Sequence, residues 1–260
     1  YGFGAFFHRL QRTRVKGSGE MVLWVAREGE ITQPRTGLDM APWLPGEEEL
    51  DLDGIHDRRE VLVTWLTRPD NPYLARVEVN RIWANLLGRG IVDPFDDFRE
   101  SNPPANQPLL DWLARDFVES GFDRKQVIRT ILNSSTYQLA SQKNESNGQD
   151  IKYFSHPQSR RLPAESLMEL ICQVTGVPFK FKGLPMGTRA TGLPSPEGGP
   201  YFLRVFGQPP RDTNCSCERS VSADLSQALA IVNGDFIHKR IIDKNCLFRR
   251  RIREGRTNEE

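Results

Sequence analysis

The chain has 260 residues, of which 38% are hydrophobic and 27% charged, and its 35 basic residues nearly balance its 34 acidic ones. The formal net charge of +1 provides no overall field that would attract nucleic acid or an anionic membrane. Mean hydropathy is −0.53, and the absence of any apolar run of about 18 residues excludes a membrane-spanning helix.

The first predicted element is a small β hairpin. Residues 21–27 form a short apolar run rich in β-forming residues, and residues 31–32 are expected to return after a turn. A loop rich in Pro and Gly follows, and it leads into an acidic stretch over residues 47–53. This change in composition predicts a small β and loop segment over residues 1–55 and a helical domain over residues 56–260.

Four helices are predicted at the start of the helical domain. Asn71 and Asp123 are suitable N-terminal caps for two of them, and Gly88 is a suitable C-terminal cap. Apolar residues recur at helical spacing over residues 62–66, 75–86, 109–117 and 127–132. Three tryptophans occupy apolar positions of these helices and are predicted to lie in the core: Trp65, Trp83 and Trp112.

The rest of the chain is predicted to alternate loops and helices. Residues 183–200 contain five glycines and four prolines, which predicts a long surface loop or lid. A strand is expected over residues 201–206, and helices are expected from Pro163 to Gly176, over residues 225–232 and over residues 235–242. The fold class is therefore mainly α, a multi-helix domain with a small N-terminal β hairpin and a long Gly/Pro-rich loop.

Several motifs come in an order that resembles a known family. They are NRIW (80–83), GRGIV (88–92), PFDDFR (94–99), SNPP (101–104), STYQ (135–138), RRLPAE (160–165), FGQPPR (206–211), CSCER (215–219) and QAL (227–229) before Asn233-Gly234. Together they resemble the planctomycete-specific domain of unknown function fifteen fifty-three, over nearly the whole chain.

The resemblance implies a setting rather than a reaction. Members are usually parts of large exported proteins that also carry a c-type haem domain, so we expect a piece of a longer, extracytoplasmic (periplasmic or secreted) protein. The expected role is interaction or scaffolding beside that haem domain, in electron transfer linked to polysaccharide breakdown. Because the chain lacks Cys-x-x-Cys-His, haem c is expected only on a neighbour, and no cofactor is expected here. Expected partners are other domains of the same protein and a polysaccharide, not nucleic acid.

The alternative is a redox or metal-dependent enzyme that uses the CSCER segment together with the Asp96-Asp97 loop. In an extended backbone the thiols of Cys215 and Cys217 lie on the same side, where they suit a redox switch or a thiolate metal site. Glu218 and Arg219 supply charges that tune thiol acidity. The competing interpretation is structural thiols, or a disulfide to one of the two other cysteines, Cys172 or Cys246.

The second candidate site is the loop that holds Asp96 and Asp97. These carboxylates suit a hard cation or acid–base catalysis, or they form ion pairs with arginines that fix the loop. Arg160, Arg161 and Glu165 flank a helix start, which fits either a buried network or an anion site. The arginines considered for an anionic ligand are Arg81, Arg99, Arg160, Arg161, Arg211 and Arg219.

Histidines and the remaining tryptophans complete the candidates. No two of His8, His56, His156 and His238 lie three or four residues apart, so no helix-borne metal motif is predicted, and each is expected in the core or on the surface. Trp24 and Trp43 lie outside the predicted helices and are candidates for stacking on a sugar ring or a partner. The basic segment over residues 239–256 is interpreted as a solvated face or a contact with another part of the protein.

Overall fold

The computed structural model describes residues 1–17, 20–157, 160–210 and 224–255. The chain forms two compact units, Tyr1–Gln158 and Ser159–Glu260. The mainly helical fold class with a small N-terminal hairpin is confirmed. None of the helices in the described ranges combines the length and hydrophobicity needed to cross a lipid bilayer.

The N-terminal hairpin pairs different strands from those predicted. Strand β1 (Leu10–Arg14) is antiparallel to β2 (Met21–Val25), with Leu10 opposite Val25. A second two-stranded sheet joins β3 (Ile31–Thr32) to β4 (Asp39–Met40), so the predicted return of residues 31–32 onto residues 21–27 is wrong. Strand β1 escaped prediction because its sequence, LQRTR, has no apolar alternation.

The segment before the helices packs against the first of them. Helix α1 spans Arg59–Leu66, and its Leu62 and Trp65 form a small buried cluster with Phe6 and Leu44. The structure does not test the predicted boundary near residue 55, which stays a prediction.

A partly buried ion pair between Glu30 and two arginines adds to this contact. Glu30 accepts two hydrogen bonds from the Arg58 guanidinium, at 2.6 and 2.7 Å, and one from Arg9 at 2.8 Å. The Arg58 hydrogen bonds, with a smaller contribution from Arg9, lower the pKa of Glu30 from 4.5 to about 2.

Three further helices build the main core of the first unit. They are α2 (Leu74–Leu87), α3 (Gln107–Glu119) and α4 (Arg124–Leu132). The predicted caps are present: Asn71 Oδ1 accepts from the backbone N–H of Leu74, Asp123 accepts from Lys125, and Gly88 ends α2 with φ of 86°. Buried apolar side chains from all three helices meet in one cluster.

One predicted core tryptophan is not buried. Trp65 and Trp83 are buried as expected, but Trp112 is 51% exposed. The buried face of α3 carries Leu110, Leu113 and Phe117, and Trp112 lies on the opposite face of the helix. The prediction for Trp112 is wrong because it used only the apolar character of the residue. The core-facing positions of α3 are occupied by other apolar side chains.

The second unit consists of short helices around a separate core. They are α5 (Ala164–Thr175), α6 (Tyr201–Val205), α7 (Leu225–Val232), α8 (Asp235–Ile242) and α9 (Leu247–Arg253). The strand predicted over residues 201–206 is wrong, because α6 forms there. Phe202 and Phe206 lie four residues apart, and their ring centroids lie 4.4 Å apart on the core side of the helix.

The Gly/Pro-rich segment over residues 183–200 is anchored to this core. It contains a short 3-10 turn, Ala190–Gly192, and the side chains of Ala190 and Leu193 are buried. The backbone N–H of Ala190 donates to the Glu169 carboxylate of α5. Part of the segment is therefore a packed element rather than a free lid.

Candidate functional site

The loop after α2 is held by a single buried side chain. Asn80 on α2 is fully buried, and its amide nitrogen donates to the carbonyl oxygens of Val92 and Phe95 at 2.9 and 3.0 Å. Its Oδ1 accepts from the Val92 N–H at 3.0 Å. The glycine at position 90 leaves room for this contact, because a Cβ there would lie 2.1 Å from the Val92 carbonyl oxygen. Asn80 thus fixes the backbone that presents the two candidate aspartates.

Both aspartates of the loop are paired with arginines. Arg81 donates to Asp96 at 3.0 Å, and its guanidinium lies 5.8 Å from the centre of the Phe95 ring. Arg99 makes a two-pronged hydrogen bond to Asp97, at 2.6 Å for each nitrogen, and this bond lowers the pKa of Asp97. The structure brings these four charged residues together, while a catalytic or ligand-binding role for them stays a prediction.

In the second unit, two motifs meet at α7. Arg161, from the RRLPAE segment, donates to Gln227 Oε1, and the Gln227 amide nitrogen donates to the Val205 carbonyl at 3.0 Å. Glu165, the second residue of α5, is buried. Arg160 precedes α5 on the surface. These contacts tie α7 to the ends of α5 and α6.

The CSCER segment lies outside the described residues, so the redox or metal hypothesis stays a prediction. The candidate residues outside the described part of the chain are Arg211, Cys215, Cys217, Glu218 and Arg219. The two other cysteines are free thiols: Cys246 is buried and Cys172 is partly buried. Within the described ranges, no group of three or more His, Cys, Asp or Glu side chains is arranged to hold a metal ion.

A small cavity in the first unit contains a histidine that sequence reasoning did not single out. It has a volume of about 10 Å³, about the least that holds one water molecule, and Arg89, Asp150, Phe154 and His156 line it. His156 is only 5% exposed, and neither ring nitrogen has a hydrogen-bond partner among the described residues. An isolated histidine carries no spacing signal, so only the packing reveals it.

The residues that line this cavity are held by their own loop. Asp150 accepts backbone hydrogen bonds from Lys152, Tyr153 and Ser155 at 2.7 to 2.9 Å, and contacts with Ser155 lower the pKa of Asp150 most. Phe154 adopts a left-handed backbone conformation, with φ of 59°. The carboxylate oxygens of Asp150 are occupied by backbone donors, and at about 10 Å³ the cavity has the size of a water site rather than that of a substrate pocket.

Two tryptophans considered for stacking are accessible. Trp24 on β2 and Trp43 before α1 are each about half exposed. The Trp24 indole N–H donates to Thr13 Oγ1 at 3.2 Å, which holds the ring across the hairpin. Both rings therefore present an open face.

Helix α7 has its amphipathic character reversed. Gln227 is buried and hydrogen-bonded, whereas Leu225, Leu229 and Val232 are 73%, 53% and 76% exposed. These three apolar residues lie at positions i, i+4 and i+7, on one face of the helix opposite Gln227. Residues 225–255 also contain seven basic and three acidic residues, so the surface of this region is both apolar and positively charged.

Comparison with known proteins identifies a family. No curated protein and no solved structure matches the chain. A family model described as PSD1, protein of unknown function (DUF1553), matches residues 58–245, which is more than half of the chain. The match spans both compact units, from the start of α1 to the turn after α8. The chain therefore belongs to the PSD1 family of proteins of unknown function, DUF1553.

Proposed function

We propose that this chain is an interaction module that docks a c-type haem domain of the same protein through the exposed face of α7. The reversed helix carries the proposal. Exposing Leu225, Leu229 and Val232 to water costs about 1.5 to 3 kcal/mol per side chain relative to burial. The hydrogen bonds of the buried Gln227 fix the orientation of α7. Rotating the helix to bury the three apolar residues would break these hydrogen bonds.

Charge favours a partner with an acidic rim. Helix α8 contacts α7, helix α9 contacts α8, and both carry an excess of basic residues, so a partner surface with acidic residues around an apolar centre is complementary to this region. An apolar face of this size suits a small, transient interface, which is the class that electron-transfer partners use. The family resemblance supports the haem domain as this partner, and it also supports an extracytoplasmic location and electron transfer linked to polysaccharide breakdown.

The test is calorimetric titration of the c-type haem domain into the purified chain. We expect micromolar binding that Leu229→Asp weakens at least about tenfold, because a carboxylate would be desolvated in the interface and would repel an acidic rim. Leu38→Asp is the matched control, because Leu38 is also more than half exposed but belongs to the first unit. Absence of binding, or binding that Leu229→Asp leaves intact, would refute the proposal.

A further inference from the structure

Strand β2 has the sequence of a central strand but lies exposed on both faces. Its five residues, MVLWV, are all apolar, which is typical of a strand covered on both sides. Met21, Val22, Leu23 and Trp24 are nevertheless between 47% and 64% exposed. Since successive side chains point to opposite faces, each face of β2 carries large apolar groups in contact with water.

The two edges of this hairpin differ in chemistry. Strand β1 carries Gln11, Arg12, Thr13 and Arg14, and exposed charges of this kind prevent further pairing at a sheet edge. Strand β2 has no charge, proline or glycine that would protect its outer edge. Among the described residues the sheet ends at β2. Charged residues thus protect the β1 edge of the sheet against further pairing, and the β2 edge has no such protection.

The register identifies the open backbone groups. Val15 donates to the Glu20 carbonyl, and Ala26 donates to the Arg9 carbonyl, so the even-numbered residues of β2 face β1. The alternation of an antiparallel ladder directs the N–H and C=O groups of the other residues outward. The outward groups are those of Met21, Leu23 and Val25.

We propose that β2 pairs along this edge with a β-sheet domain elsewhere in the same protein, and so becomes an interior strand of a larger sheet. The outward amides of Met21, Leu23 and Val25 define the partner as an extended strand, and the two apolar faces define it as a sheet with apolar layers on both sides. A second copy of the chain fits less well, because antiparallel pairing of two β2 strands would leave both faces in water. The inference rests on the proposed role as an interaction module but uses a different surface.

The experiment compares amide hydrogen exchange in the 260-residue chain and in the full-length protein. Exchange is resolved at single residues by mass spectrometry with gas-phase fragmentation. We expect the Met21, Leu23 and Val25 amides to exchange freely in the 260-residue chain and at least about a hundredfold more slowly in the full-length protein. Equal exchange in the two proteins would overturn the inference. Protection in the 260-residue chain that rises with its concentration would overturn it in favour of self-pairing.

Two proline variants sharpen the test. Leu23→Pro removes an outward N–H and leaves the β1 ladder intact, so it should abolish the extra protection in the full-length protein while the inward amide of Trp24 stays protected in the 260-residue chain. Val22→Pro removes an inward N–H and should expose Trp24 in both proteins. If Leu23→Pro leaves the protection of Met21 and Val25 unchanged, the partner does not pair along this edge.

Failure of this inference is separable from failure of the proposed function. The Leu229→Asp titration reports on α7 in the second unit, whereas the exchange experiment reports on β2 in the first. Haem-domain binding without protection of β2 would refute only the strand pairing. Protection of β2 without sensitivity to Leu229→Asp would refute only the α7 interface.

Discussion

Replacement of Asn80 by alanine should destabilise the first unit by about 3 kcal/mol. The fully buried amide makes three hydrogen bonds to the loop, two with Val92 and one with Phe95. Truncation leaves the N–H and C=O of Val92 buried without partners, and each such group costs about 1 to 3 kcal/mol. Phe95 is only partly buried, so water can satisfy its carbonyl and it adds little.

Urea unfolding followed by tryptophan fluorescence measures this loss selectively. All five tryptophans precede residue 113, so their emission reports on the first unit alone. With a denaturant slope of about 2 kcal/mol per molar urea, a loss of about 3 kcal/mol lowers the midpoint by about 1.5 M.

A matched substitution in the same unit shows whether the loss of stability is specific to Asn80 or follows from replacing another asparagine. Asn106 caps α3 through one exposed hydrogen bond, to the Leu109 N–H at 3.1 Å, so Asn106→Ala should cost only about 1 kcal/mol. If Asn80→Ala shifts the midpoint no more than Asn106→Ala does, the loop is not held by Asn80 and the reasoning fails.

Two further substitutions address the backbone of the same loop and the partly buried ion pair of Glu30. Gly90→Ala should cost about 3 kcal/mol in a thermal melt, because the new Cβ would lie 2.1 Å from the Val92 carbonyl oxygen, whereas Gly192→Ala has open space and should be neutral. Glu30 contributes about 1 kcal/mol after allowance for solvent screening. Because its pKa falls from 4.5 to about 2 on folding, this contribution is complete above pH 4.5 and is lost as the pH falls toward 2. Glu30→Gln should therefore lower stability at pH 7 but not at pH 2, and equal losses at both pH values would contradict the assignment.

The fold class and the four helices of the first unit could be predicted from local signals. Helix periodicity and the caps at Asn71, Gly88 and Asp123 act over a few residues, so they can be found without knowledge of the tertiary structure. The short run over residues 201–206 could not be assigned in the same way, because five apolar residues suit a strand or a helix equally well. The helix places Phe202 and Phe206 together in the second core, a contact that the local sequence does not specify.

The candidate site shows the same division. The family, and the presence of Asp96 and Asp97 in a loop next to several arginines, could be recognised without a structure. The pairing of Asp96 with Arg81 and of Asp97 with Arg99 could not be predicted, because it depends on which side chains the folded backbone brings within hydrogen-bond distance.

The surfaces that carry the two proposals also depended on tertiary structure. Local hydrophobicity ordinarily predicts burial, so the apolar residues of α7 and β2 would be assigned to the core from sequence. The structure instead buries Gln227 and leaves Leu229 and Leu23 in water. Which face of an element points inward is set by its long-range contacts, and these are absent from local sequence pattern. For that reason the sequence alone determined where the helices and their caps lie, and the tertiary structure determined which of their faces remain open to a partner.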